Sequence, residues 1–470
     1  MRKLENLEPK KVFYFFEDLC AIPHGSGNTK KISDYCKDFA EKRGLFCIQD
    51  EHNNIIIKKD ATTGYEDHPA VILQGHLDMV CEKDADCQIN FETDGLDIYV
   101  DGDYVKARGT TLGGDDGIAV AMALAILDDD TLSHPALEVL FTTDEETGMY
   151  GAEGLDASHL SAKQMINIDT EAEGIFTVGC AGGARAELSL PFTLSPLDKS
   201  CIRVTVKGLL GGHSGTEINK GRQNANMVLA KFLSTLPSFR LVSINGGLKD
   251  NAITAHSECI VYCEGLTQKT ATDFANSIRI DTDGGLEILV EGAEKQAFAI
   301  DEKTSKKAVE FLLSLPNGVQ TMSADIAGLV ETSLNLGILK TEEDKISASF
   351  AVRSSVGAEK TKLLTKLENI AKDFGAEYST CGHYPAWEYR KNSPLRESML
   401  KTYKEFYGGE PVVEIIHAGL ECGLFSEKIE GLDTVSIGCN VNYIHTPREQ
   451  LSISSAERSF RFICKILENL

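Results

Sequence analysis

At 470 residues, with 42% hydrophobic and 25% charged residues, the chain has the composition of a globular enzyme of about two or three domains that needs neither disulfide nor metal merely to fold. A formal net charge of −24 argues against nucleic acid, whose binding calls for a basic stripe, and against an anionic membrane surface as partners. No stretch reaches the roughly 18 uncharged apolar residues of a spanning helix, and no apolar core precedes a small-residue cleavage site at the start. The 13 cysteines include no CxxC pair, so the expected setting is a reducing cytoplasm.

Taken in chain order, VFYFFEDLCAIP (12–23) has helical periodicity and stops at a proline, and TKKISDYCKDFAEKRG (29–44) is a second amphipathic helix ending on Gly44. NNIIIKKD (53–60) and PAVILQGHLD (69–78) read as strands, the second apolar enough for a buried central position. DDGIAVAMALAILDDD (115–130) predicts a helix of small residues, and ALEVLFTTDEE (136–146) and QMINIDTEAEG (164–174) predict strands that end in acids. This alternation implies an α/β sheet flanked by helices, with its site at the carboxyl ends of the strands.

After GCAGG (179–183), read as a hinge, the strands ARAELSLPFTL, CIRVTVKG and ECIVYCEG alternate apolar with polar, as a sheet with one solvated face does. ANMVLAKFLSTL and EKTKLLTKLENIAKDFG are the helices to cover the other face. Two strand–helix–strand groups, near 201–263 and 278–374, suggest a duplicated unit. The α/β character returns after 386 with SMLKTYKEFYG and GLDTVSIG. The expected organisation is a catalytic α/β domain formed by 1–182 and 387–470, with an α+β lid domain inserted over 183–386.

Five segments place His or acidic residues at strand ends or in the loops that follow: GHLDMV, LGGDDGIA, TTDEETGM, NIDTE and YIHTPRE. His76, Asp115, Glu146, Asp169 and His445 supply the imidazole and carboxylate donors that zinc and its relatives take, without thiolate. Asp78, two residues beyond His76, is placed to orient its imidazole. Asp115 or Asp116 could bridge two ions. Of the neighbours Glu145 and Glu146, one can bind metal while the other accepts a proton from water.

In order and spacing these motifs resemble the dinuclear-zinc family of carboxypeptidases, aminoacylases and dipeptidases. LQGHLDMVCEK, TTLGGDDGIAVA, TDEETGMYGAEGL, GCAGG and HAGLECG are similar to its aminoacyl-histidine dipeptidase (carnosinase-like) branch. The resemblance implies a zinc-exopeptidase-like catalytic domain. It assigns His76 and Asp169 to one metal and Glu146 and His445 to the other, with Asp115 bridging, Asp78 orienting His76, and Glu145 as base. The branch commonly has Ala-Asp-Asn where this chain has Gly114-Asp115-Asp116, and Asp115 holds the bridging place. His213, in GGHSG, matches the histidine that reaches the scissile carbonyl oxygen, and Arg353 matches the arginine that clamps a substrate carboxylate. Asn251 is a candidate for the same pocket, and Glu421 is a candidate to receive the substrate's amine.

Each motif alone has a plainer explanation. Asp-Asp-Gly is an ordinary turn, Asp-Glu-Glu an ordinary solvated strand end, GGHSG an ordinary glycine-rich turn, and Asp169 an ordinary cap. Their company at the ends of apolar strands is what favours a site. The expected reaction is hydrolysis of a dipeptide, Xaa-His including β-alanyl-histidine, by hydroxide held between two divalent ions, zinc first and cobalt or manganese as substitutes. Domain closure is the expected gate, and a homodimer stays open as an assembly. The rivals are an N-acyl amino acid deacylase or broader di/tripeptidase with the same metals and, in another class, a non-catalytic binding or scaffold protein.

Overall fold

The computed structural model describes residues 2–326 and 328–470. The chain forms two compact units: Met1–Gly179 with Tyr389–Ile415 and Leu420–Leu470, and Cys180–Glu388 with Ile416–Gly419. The short return of 416–419 to the second unit is a detail that the sequence pattern does not carry.

In the first unit an eight-stranded mixed sheet runs in the order Phe46–Gln49, Ile55–Lys59, Leu137–Thr142, Val71–His76, Gln164–Asn167, Asp433–Ser436, Ile175–Cys180, Val412–Ile416. The four in the middle, from Leu137–Thr142 to Asp433–Ser436, are parallel, and the two preceding them pair antiparallel. Val71–His76 and Leu137–Thr142 are buried along their whole length, which is why they read as unbroken apolar runs. The helix at Gly114–Leu127 packs between Val71–His76 and the Lys10–Cys20 helix, and it is apolar all round because it is covered all round. Its regular part starts late: Asp115 (φ −84°, ψ 105°) and Asp116 (φ −116°, ψ 26°) are not helical, so they form a turn at its entrance. A separate four-stranded sheet, Val441–Asn442, Gln450–Ser452, Tyr104–Ala107 and Ile98–Asp101, fixes both ends of the 443–449 loop.

The second unit is a nine-stranded antiparallel sheet. Helices Ala225–Ser234, Gln268–Ile278, Glu302–Ser314 and Gly357–Phe374 bury Leu229, Phe232, Ala271, Phe311, Leu312 and Leu367 against Leu188, Val204, Leu241, Val261, Leu336 and Phe350 of the strands. Ser257–Tyr262 alternates buried with half-buried positions, as its sequence pattern predicts. Both strand–helix–strand groups share this one sheet.

Gly75 shows how closely the first unit packs behind its strand end. A Cβ there would lie 2.5 Å from Asp116 Oδ2 and 2.9 Å from Ala119 Cβ, so the helix and its entrance turn would have to move. Gly75→Ala is expected to cost about 1–3 kcal/mol, read as a lowered unfolding midpoint. An unchanged midpoint would contradict this packing.

Candidate metal centre

The carboxyl ends of the parallel strands deliver His76, Glu145, Glu146 and Asp169, and a helix entrance and a loop add Asp115 and His445. His76 is the last residue of its strand, Glu145 and Glu146 follow Leu137–Thr142, Asp169 follows Gln164–Asn167, and His445 lies on the loop after Val441–Asn442. Among the described residues six non-glycine residues have positive φ, and four of them are Asp144, Met149, Tyr443 and His445, at 56° to 61°. Backbone in this region costs about 1–3 kcal/mol per residue, and four of the six instances fall in the two loops that carry Glu145, Glu146 and His445.

Asp115 stands in the middle. Its Oδ1 is 3.2 Å from His76 Nε2 and its Oδ2 is 3.4 Å from His445 Nε2, so its two oxygens face different imidazoles. Asp169 Oδ1 lies 3.7 Å from His76 Nε2, and Glu146 Oε1 lies 2.9 Å from His445 Nε2. Three overlapping sets have donor atoms within 4.8 Å of one another and could each hold a metal ion: His76, Asp116 and Asp169; His76, Glu145 and Glu146; Asp115, Glu146 and His445. Asp116 is buried, and its Oδ2 accepts from the His76 main-chain N–H at 3.2 Å.

The surroundings of Asp78 refine the sequence-based expectation. His76 Nδ1 donates to the main-chain carbonyl of Asp78 at 2.9 Å, while the Asp78 carboxylate is farther from it, at 3.5 Å. That carboxylate instead accepts from Ser26 Oγ and from the N–H groups of Glu145 and Glu146. Asp78 therefore ties the histidine to the two glutamates. Glu421, at the start of the Glu421–Lys428 helix, is buried beneath the cluster; its Oε2 accepts from Gln74 and Thr142, and its Oε1 has no partner.

Sequence reasoning missed Glu449. Its carboxylate is buried and accepts from four successive main-chain N–H groups, those of Leu112, Gly113, Gly114 and Asp115, at 2.8 to 3.3 Å. It holds the turn that presents Asp115. The signal was an acid four residues beyond a candidate ligand, but its partners are backbone groups, which no side-chain motif records.

The electrostatics show a site short of positive charge. Burial pushes Glu145 up to about 8, with Glu421, Glu146 and Asp115 adding to the effect and His76 opposing it. Burial likewise raises Glu421 and Glu171 to about 7, and Asp116 and Asp169 well above the usual range. Burial acts upward on Asp115 too, but hydrogen bonds from His445 and His76 outweigh it and hold its carboxyl low. His445 is raised to about 10 by Asp115 and Glu146. Protons are therefore retained where cations would serve, and an oxygen-rich set with two imidazoles and no thiolate suits zinc, cobalt or manganese.

The second unit carries its own cluster. His213 ends a two-residue strand paired with Ala252–Ile253, and Ser214 N–H donates to the Asn251 carbonyl at 2.8 Å, so Asn251 is tied to the His213 turn. Arg353, on Lys345–Ser354, donates from Nη1 to Tyr384 Oη at 2.9 Å, and its buried Nε has no partner. His417, another residue that sequence reasoning passed over, bonds Ser333 through Nε2 and is pushed down to about 4 by burial, then by Arg353 and His213. His24 and His134 are buried and bond the carbonyls of Ile22 and Pro135.

An α/β sheet that gathers imidazole and carboxylate at the ends of parallel strands defines the class of metal-dependent hydrolases. More specifically, residues 72–469 match the model of peptidase family M20/M25/M40, and the chain belongs to that family. It is 35% identical over 482 residues to the cytosol non-specific dipeptidase of Escherichia coli (strain K12), covering 100% of this chain and 99% of the relative. The crystal structure of aminoacylhistidine dipeptidase from Vibrio alginolyticus superposes with a TM-score of 0.94 at 34% identity, covering 99% of this chain and 97% of that one. An aminopeptidase from Bacillus cereus shares the fold, with a TM-score of 0.57 at 15% identity over 98% of this chain and 99% of that one.

The raised carboxyls give a stability profile. A carboxyl whose folded pKa lies above its unfolded value of 4.5 stabilises fully below that value and loses its contribution as pH rises through 7 to 8. His445, raised from 6.5 to about 10, acts in the same direction above neutrality. Chelator-treated protein should therefore melt at progressively lower temperature from pH 5 to pH 8, and zinc or manganese should restore more at pH 8 than at pH 6. A profile that is flat or rises across this window would contradict the charge balance described.

Proposed function

We propose that the chain is a metal-dependent dipeptidase holding two divalent ions, zinc first among them. His76 and Asp169 would serve one ion, Glu146 and His445 the other, and Asp115 both. The observation that carries this reading is the placement of the two Asp115 oxygens toward separate imidazoles. When bound, the ions would polarise the substrate carbonyl and make water acidic enough to be deprotonated near neutral pH.

The remaining work falls to the protein. Glu145 takes the proton of the attacking water and passes it to the leaving amine, the role of a carboxylate that two bound cations would keep ionised. Asp78 keeps His76 and the Glu145–Glu146 turn in register. His213 donates to the oxyanion. Arg353, with an unpartnered Nε and a single hydrogen bond from Nη1, binds the C-terminal carboxylate in the fork geometry of guanidinium. Asn251 contributes to the same pocket, and Glu421, with Oε1 unpartnered, receives the substrate amine.

The two closely similar relatives differ in the breadth that their names carry, one non-specific and one for aminoacyl-histidine. Dipeptides generally are therefore proposed as substrates, Xaa-His and β-alanyl-histidine among them. The setting proposed is the cytosol, which the name of the Escherichia coli relative carries and which suits a chain whose cysteines form no disulfide.

Glu145→Gln should keep its metal content and lose kcat by about 10²–10⁴-fold, and a variant that turns over normally would remove Glu145 as base. Arg353→Lys should raise KM about tenfold for dipeptides, with little change for substrates amidated at the C-terminus. In a panel of Xaa-His, other dipeptides and acetylated amino acids, preference for the acetylated compounds would favour the deacylase rival. Turnover that survives removal of all divalent metal would refute the mechanism.

A further inference from the structure

An imidazole that is to donate a hydrogen bond to an oxyanion must carry its proton on the nitrogen that faces substrate. Nothing in the histidine itself fixes this choice, because the neutral ring exchanges its proton freely between Nδ1 and Nε2. The surrounding chain has to decide it.

In the second unit the loop after His213 does so. The main-chain N–H groups of Gly215 and Thr216 point at His213 Nδ1, at 3.3 and 3.2 Å. Backbone N–H groups only donate, so Nδ1 must accept and the neutral ring keeps its proton on Nε2. The Thr216 hydroxyl, 3.3 Å from Nδ1, can donate to the same lone pair.

That curl of the chain is held from one side chain. Glu217 Oε2 accepts from the His213 main-chain N–H at 2.8 Å, and the Glu217 N–H returns to the His213 carbonyl at 3.1 Å. Glu217 Oε1 accepts from Arg222 Nη2 at 2.9 Å, and Arg222 Nη1 donates to the Gly211 carbonyl, which closes a ring of bonds around 211–217. Gly212 sits where this ring is tightest. Its φ is 131°, and a Cβ there would run into the Arg222 guanidinium and lie 2.5 Å from Glu217 Oε2.

We infer that Glu217, braced by Arg222, is a positioning residue that sets the His213 ring as the Nε2–H donor. Burial, followed by the nearby Arg353 charge, lowers the His213 pKa against the opposing pull of Glu217, so the ring is neutral at pH 7 and its tautomer matters. The assignment rests on the proposed oxyanion role of His213, which the loop geometry deepens.

The test reads the tautomer apart from activity. Nitrogen NMR of protein labelled at histidine, with the His213 signals identified by their loss in His213→Asn, should show a pyridine-like Nδ1 and a pyrrole-like Nε2 at pH 7.5. Glu217→Ala should blur that pattern and lower kcat about tenfold, with KM within about twofold and metal content unchanged. Glu217→Gln, which keeps an acceptor for the His213 N–H, should recover most of the rate. A proton on Nδ1 in the unaltered protein, or full kcat in Glu217→Ala, would overturn the inference. Full activity in His213→Asn would instead overturn the oxyanion role beneath it, whatever the NMR shows.

Discussion

The constraint on which the first unit depends is mutual repulsion among carboxylates gathered near the carboxyl ends of its parallel strands. Asp78, Asp115, Asp116, Glu145, Glu146, Asp169 and Glu421 converge on two histidines, and each of them is buried or half-buried. Burial amplifies each like-charge contact because the effective dielectric falls. A fold that only needed stability would not place acids this way. The cluster makes physical sense when cations complete it.

Much of the neighbouring structure serves to hold that arrangement. The all-apolar helix behind Val71–His76 leaves its entrance turn to Asp115 and Asp116, and Glu449 secures the turn through four backbone donors. Asp78 links the His76 strand to the Glu145–Glu146 turn, and the small sheet anchors both sides of the His445 loop. Left-handed backbone at Asp144, Met149, Tyr443 and His445 is strain that the packed strands around it sustain. The second unit holds a different chemistry: a neutral-leaning histidine pair and an arginine with an unpartnered nitrogen, suited to binding rather than to metal.

The sequence made the α/β character legible because buried parallel strands are apolar on both faces, so VILQGH and LEVLFT stand out from their surroundings. Of the candidate ligands, His76, Glu146 and Asp169 were legible because they end or follow apolar strands, whereas Asp115 lies at a helix entrance and His445 in a loop. The Glu287–Ile300 strand was not legible: it pairs only along one side with Leu194–Lys207, half of its positions are exposed, and its charges hide any alternation. Glu449 and Glu217 escaped notice because each acts on main-chain N–H groups, whose positions depend on the folded path of the chain. The Asp78 carbonyl as a partner of His76 Nδ1 was not legible for a related reason: the strand ends at His76, and beyond it the carbonyl comes to 2.9 Å while the carboxylate stands beside it at 3.5 Å.

The central claim is that two cations share Asp115, and metal stoichiometry tests it most directly. Calorimetric titration of chelator-treated protein with zinc, confirmed by elemental analysis, should give two ions per chain in the unaltered protein. Asp115→Ala should weaken both binding events together, because each imidazole faces one oxygen of the same carboxylate. A single ion per chain, or two ions whose affinities ignore the loss of Asp115, would contradict the account.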